Sequence, residues 1–166
     1  ANATTNPASD GTPNAGEVAF SAWKNVFTVN TRKVYLESLR LRQIGSIAPA
    51  DLENIKFYVD GVEKGAGTID DNSYVYFDFT GEPVTIENGS RTLEVRADVI
   101  GGATRTFSFS LQYKADMKVM DSEYGAYIGV TALPAASVAQ TIGSGSMTVT
   151  KTTDSPSGNV TLDASG

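Results

Sequence analysis

With 13 Lys and Arg against 19 Asp and Glu in 166 residues, the chain has a formal net charge of −6 and an isoelectric point near 4.6. It is long enough to close one hydrophobic core, and its acidic surface lacks a basic cluster to attract phosphate backbones, so nucleic acid is not an expected partner. It contains no histidine and no cysteine, which excludes a Ser-His-Asp arrangement, a histidine base, the common zinc sites, thiol catalysis and disulfides built from this chain.

No apolar run approaches the ~20 residues of a membrane-spanning helix, and no membrane-spanning segment is expected. Residues 1–16 are small, polar and interrupted by Pro and Gly, the composition of an extended arm. A start at Ala1 is what signal-peptide removal leaves, and equally what a fragment boundary leaves. The first reading leads to the expectation of a protein exported by a cleaved signal peptide to the cell surface or beyond. A neighbouring subunit is the expected anchor for the arm.

Along residues 17–29, Val18, Phe20 and Ala22 alternate, Trp23 breaks phase, and Phe27 and Val29 resume on odd positions. That pattern predicts a strand with a bulge, or two short strands in different sheets. Trp23 is a core or rim residue, with sugar stacking as the alternative. In residues 33–44, Val34 and Leu36 share a face with Leu39 and Leu41 only after a one-residue slip near Glu37 and Ser38, which predicts a second bulge. Arg40 and Arg42 flank Leu41 as solvated charges beside acidic neighbours.

One helical turn is expected at residues 50–53, then a strand carrying Ile55, Phe57 and Val59. Asp60-Gly61 favours a type I′ hairpin into residues 62–66, because both central residues must adopt positive φ. Asp70, Asp71 and Asn72 crowd the turn before a strand with Val75, Phe77 and Phe79. They are weak Ca²⁺ candidates, and so are Asp121 and Glu123, but neither spacing is that of an EF-hand loop and a turn role is the simpler reading. No other metal and no cofactor is expected.

Turns at residues 81–83 and 87–90 lead into the strand bearing Leu93, Val95 and Ala97. Gly101-Gly102 then separates it from residues 104–114, and two strands across so short a turn predict a hairpin. Residues 115–119 and 127–131 bracket the turn at residues 121–125, and residues 133–140 read as loop. Two alternating segments, 146–152 and 159–164, close the chain around the polar turn 154–158, with Val160, Leu162 and Ala164 on one face. Asn2, Asn88 and Asn159 each begin an Asn-x-Ser/Thr triplet and are candidate glycosylation sites in an exported protein.

About nine to eleven strands at this spacing predict an all-β, Greek-key sandwich, with residues 1–16 as its arm and residues 17–166 as one domain. The run ESLRLRQIGS, DLENIKFYVDG, YFDF, VTIENGSRTLEVRADV and TFSFSL, roughly residues 34–111, resembles the immunoglobulin-like β-sandwich modules of bacterial and archaeal cell-surface proteins. In those modules a Leu-rich strand precedes an Asp-Leu-x-Asn segment, a strand-Asp-Gly hairpin and a Gly-x-x-x-Leu-x-Val-x-Ala-Asp strand. Such modules serve in surface layers, adhesins and fibres, and the pattern brings no catalytic residue with it.

Two functions follow as expectations. One is a structural subunit that polymerises with copies of itself into a pilus-like filament or surface layer by strand addition. Val18, Phe20 and Ala22 near the arm, and Val160, Leu162 and Ala164 in a terminal strand pair (residues 146–166) exchanged with a neighbour, are its interface candidates. In the opposing reading that pair stays within its own domain. The other function is a module of a larger surface protein that binds glycan or a host protein through a face bearing Tyr58, Tyr74 and Tyr76. Catalysis is not expected, because glycoside hydrolysis needs two carboxyls facing each other across a cleft, not adjacent on one turn.

Overall fold

The computed structural model describes residues 2–4, 11–134 and 136–144. It is all-β, with two antiparallel sheets packed face to face. In chain order the strands are β1 (Asn2–Thr4), β2 (Glu17–Val29), β3 (Val34–Gly45), β4 (Leu52–Val59), β5 (Val62–Ala66), β6 (Thr68–Ile69) and β7 (Tyr74–Asp78). They continue with β8 (Val84–Ile86), β9 (Gly89–Val99), β10 (Thr106–Ser110), β11 (Met117–Asp121), β12 (Tyr127–Ile128) and β13 (Gln140–Thr141). Several of these described strands are only two or three residues long. Among the described residues no helix is long and apolar enough to cross a membrane.

The first sheet runs β1-β2-β9-β4-β5. The second is organised on β3, whose register uses both of its edges twice. β8 and β7 lie in line along one edge, opposite Val34–Leu36 and Ser38–Arg42, and β11 and β10 lie in line along the other. Leu36, Leu39 and Leu41 are all fully buried. The register slips between Lys118 and Val119, which face Ser38 and Leu36. Glu37 is thus the extra residue the apolar pattern required.

Aromatic rings join the sheets. Phe57 of β4 lies 5.6 Å from Phe77 and 5.7 Å from Phe79, and Phe20 of β2 meets Phe107 of β10 edge-on at 6.0 Å. Trp23 is completely buried, so it is a core residue with no face open to a sugar. Asn25, two residues on, is also buried, and neither polar atom of its side chain has a hydrogen-bond partner.

Two expectations are corrected here. The strands around Gly101-Gly102 do not form a hairpin: β9 pairs with β2 and β4 in the first sheet, whereas β10 pairs with β3 and β13 in the second. The chain is drawn across by Asp51, whose carbonyl accepts from the Ile100 amide and whose carboxylate accepts from Arg105 at 3.1 Å. Tyr58, Tyr74 and Tyr76 likewise do not share a face, because β4 and β7 belong to different sheets.

Asp98 fixes the outer side of the first sheet. Its Oδ1 accepts from the Ala19 amide at 2.7 Å and its Oδ2 from Asn54 Nδ2 at 2.7 Å. Ala19 and Asn54 have positive φ, 55° and 47°, and sit where β2 and β4 slip register against β9. One carboxylate therefore holds the bulges on both neighbouring strands. The Asn54 amide and the Ala19 N–H keep its pKa below the ordinary carboxylate range. A depressed carboxylate contributes stability that is complete above its unfolded pKa of about 4 and is lost as pH falls through the folded value. Asp98→Ala is expected to cost about 1 kcal/mol near neutral pH and to reduce the loss of stability below about pH 4, read by urea denaturation across pH. An unchanged acid limb would contradict this.

Candidate functional site

A partly enclosed apolar feature lies at the pole where β2 ends and β3 begins. A cleft of about 210 Å³ opens between the sheets there, lined by Phe27 and Val29 of the first sheet, by Val34, Ile86, Met117, Val119 and Ile128 of the second, and by Val130. The sequence builds it from residues of five strands, β2, β3, β8, β11 and β12. Its rim is charged. Arg32 hydrogen-bonds Glu123, lies 3.8 Å from Asp121 and stacks 4.9 Å from the Tyr124 ring centre, tying the β2–β3 turn to the tip of the β11–β12 hairpin.

At this pole β1 pairs Asn2–Thr4 with Val26–Thr28, and β12 pairs only two residues with β11. Each is the outermost described strand of its sheet there. A larger groove of about 710 Å³ lies on the opposite side, between β5 and the turn before β8, but Glu63, Lys64, Asp78 and Glu82 line it, and it is a solvated trough.

The acidic pairs are occupied in turns. Asp70 Oδ1 accepts from the amides of Asn72 and Tyr74, and Asp121 Oδ1 from those of Glu123 and Tyr124. With Arg32 already on Asp121 and Glu123, what sits there is a capped turn and an ion pair. Among the described residues no three acidic side chains converge as a metal site.

Tyr74 and Tyr58 are covered by the chain's own cations, whereas Tyr76 is exposed. Arg40 lies 4.6 Å and Arg42 5.3 Å from the Tyr74 ring centre, Arg40 also pairs with Asp116 at 2.9 Å, and Arg96 stacks 4.5 Å from Tyr58. Arg96 also bonds Glu94 at 2.9 Å, and Ser21 donates to Glu94 at 2.6 Å. Glu94 points outward on β9 yet is buried. Burial pushes its carboxyl up, but the Arg96 and Ser21 hydrogen bonds and the charges of Arg96 and Lys24 outweigh that and leave it below the ordinary range. Nothing in the sequence around Glu94 signalled this cluster, which forms only when β2, β9 and β4 align.

Of the interface candidates, Val18 is 71 % exposed, whereas Phe20 and Ala22 are buried in the chain's own core. The bulge at Ala19 separates them, so Val18 alone of the three offers an apolar surface. Asn88 is exposed at the β8–β9 turn, and the register sets Asn2 opposite Thr28, which is opposite Ser90. Two of the three glycosylation triplets thus share the cleft's end of the first sheet. Asn159, Val160, Leu162 and Ala164, with the whole pair 146–166, lie outside the described residues. The arm's described ends rest on this same chain: Asn2–Thr4 on β2, and Asn14 bridging Gly143.

No protein-family model, curated protein or solved structure matches the chain. The cleft, the capped acidic turns and the covered tyrosines are therefore what bear on function. Of the cleft residues, Phe27, Val29 and Val34 were legible singly as positions on apolar strand faces. That they leave a gap was not, because a gap depends on how far the two sheets diverge.

Proposed function

We propose that the chain is a structural subunit of an extracellular polymeric assembly, a pilus-like filament or a surface layer, built from copies of itself by strand addition on an immunoglobulin-like, Greek-key sandwich. The supporting observation is the apolar cleft at a pole where β12, the edge strand of the second sheet among the described residues, is only two residues long. An added strand gains main-chain hydrogen bonds along a sheet edge and buries alternate side chains, and an edge left bare invites random pairing. The alternating residues 159–164 supply a segment of the right pattern, and an exported protein is the setting in which such assemblies form. The proposal involves no catalysis, cofactor or nucleic acid.

The alternative, a glycan- or protein-binding adhesion module, has less support. Its aromatic face is divided between two sheets, and the rings of Tyr58 and Tyr74 are already stacked by arginines. Electron microscopy of the purified protein separates the two readings. Regular fibres or lattices are expected, whereas persistent monomers that bind a glycan array would overturn the structural reading.

A further inference from the structure

We propose that the cleft between β2 and β12 receives residues 159–164 of a second copy, with Leu162 as the side chain that fills it. This rests on the strand-addition reading above and names its acceptor, its donor and the side chain between them.

The cleft's size and lining select the occupant. A cavity of roughly 150 Å³ lined by aliphatic side chains takes one benzene-sized group. A cleft of about 210 Å³ lined by Phe27, Val29, Val119 and Val130 therefore takes one branched side chain and part of a smaller neighbour. Residues 159–164 offer that series, with Leu162 central and Val160 and Ala164 two positions to either side on the same face.

Reach argues for a second copy. The chain arrives at Ser144 on the far pole: Gly143 hydrogen-bonds Pro13 and Ala15, just before β2 begins, while the cleft lies where β2 ends. β2 is 13 residues long, and at about 3.3 Å per residue it separates the two poles by roughly 40 Å. Residues 145–158 cover that span only when almost fully extended, at about 46 Å. The turn expected from the sequence at Asp154-Ser155-Pro156-Ser157-Gly158 is not compatible with that extension. A second copy meets the cleft without that constraint.

The absence of cysteine from the chain makes the test clean. Full-length Ile128→Cys and, separately tagged, full-length Leu162→Cys are mixed and oxidised. A Tyr76→Cys chain, whose site lies on the outer side of the second sheet, replaces Ile128→Cys as the control. The expected result is a covalent pair between differently tagged chains at about ten times the control yield, since a disulfide needs Cα atoms within about 7 Å. Cross-linking no better than the control overturns the inference. Fibres with no 128–162 cross-link would sink this pairing and leave the assembly reading standing; neither fibres nor cross-link would sink both.

Discussion

Phe57→Ala is expected to lower stability by about 3–5 kcal/mol, the cost of removing a buried aromatic side chain and leaving a cavity. Phe57 is fully buried and is the ring through which β4 of the first sheet meets Phe77 and Phe79 of the second, at 5.6 and 5.7 Å. Phe77 and Phe79 are themselves stacked at 6.3 Å with planes 12° apart. That stack does not close over a missing ring without moving β7. For a chain of this size the loss corresponds to a fall in melting temperature on the order of 10 °C, measurable by circular dichroism. A fall within about 2 °C would mean that the sheets are held together elsewhere.

Gly45→Ala is expected to be nearly as damaging, for a different reason. Gly45 has φ +128°, and a Cβ there would lie 2.2 Å from the Thr106 carbonyl oxygen and 2.9 Å from Phe107 Cα. Both neighbours are backbone atoms of β10, the strand paired with β3 at this point, so relief requires opening the ladder. Backbone strain and overpacking together cost on the order of 3 kcal/mol. Gly61→Ala is the comparison, because Gly61 also has positive φ, +80°, but nothing within 4 Å of a new Cβ. It isolates the conformational part, about 1 kcal/mol. Equal losses for the two variants in urea denaturation would contradict the close approach of β3 and β10.

The elements read correctly from the sequence were those fixed by neighbours along the chain. Asp60-Gly61 turns as its residue types demand, with φ of +50° and +80°, and Asp60 also accepts from the Thr92 amide at 2.8 Å. The slip at Glu37 followed from Leu36 and Leu39 needing one face. The elements misread depended on partners far away in sequence. Gly101-Gly102 looks locally like a hairpin turn, and only the bonds of Asp51 to Ile100 and Arg105 send β10 to the other sheet. Tyr58 and Tyr74 sit on similar alternating strands, and nothing local says that those strands lie in opposite sheets.

The same distinction governs the functional reading. Phe20 and Ala22 alternate as a donor segment would, yet β9 pairs beside them and both are buried in their own domain. Val18 is left exposed by the bulge at Ala19. The acidic pairs at Asp70 and Asp121 proved to be turn caps because their oxygens already accept two backbone amides each. The cleft at the opposite end of β2 emerged only from the packing of the two sheets, and it moves the candidate interface away from the chain's entry into β2.

The most direct test of strand addition is sedimentation velocity on the full chain beside a chain ending at Gly158, with circular dichroism to show that both are folded. The full chain is expected to sediment as a series of polymers, and the shortened chain as a folded monomer. Polymers of the same size from both, with both folded, would contradict the assignment of residues 159–166 as the joining segment.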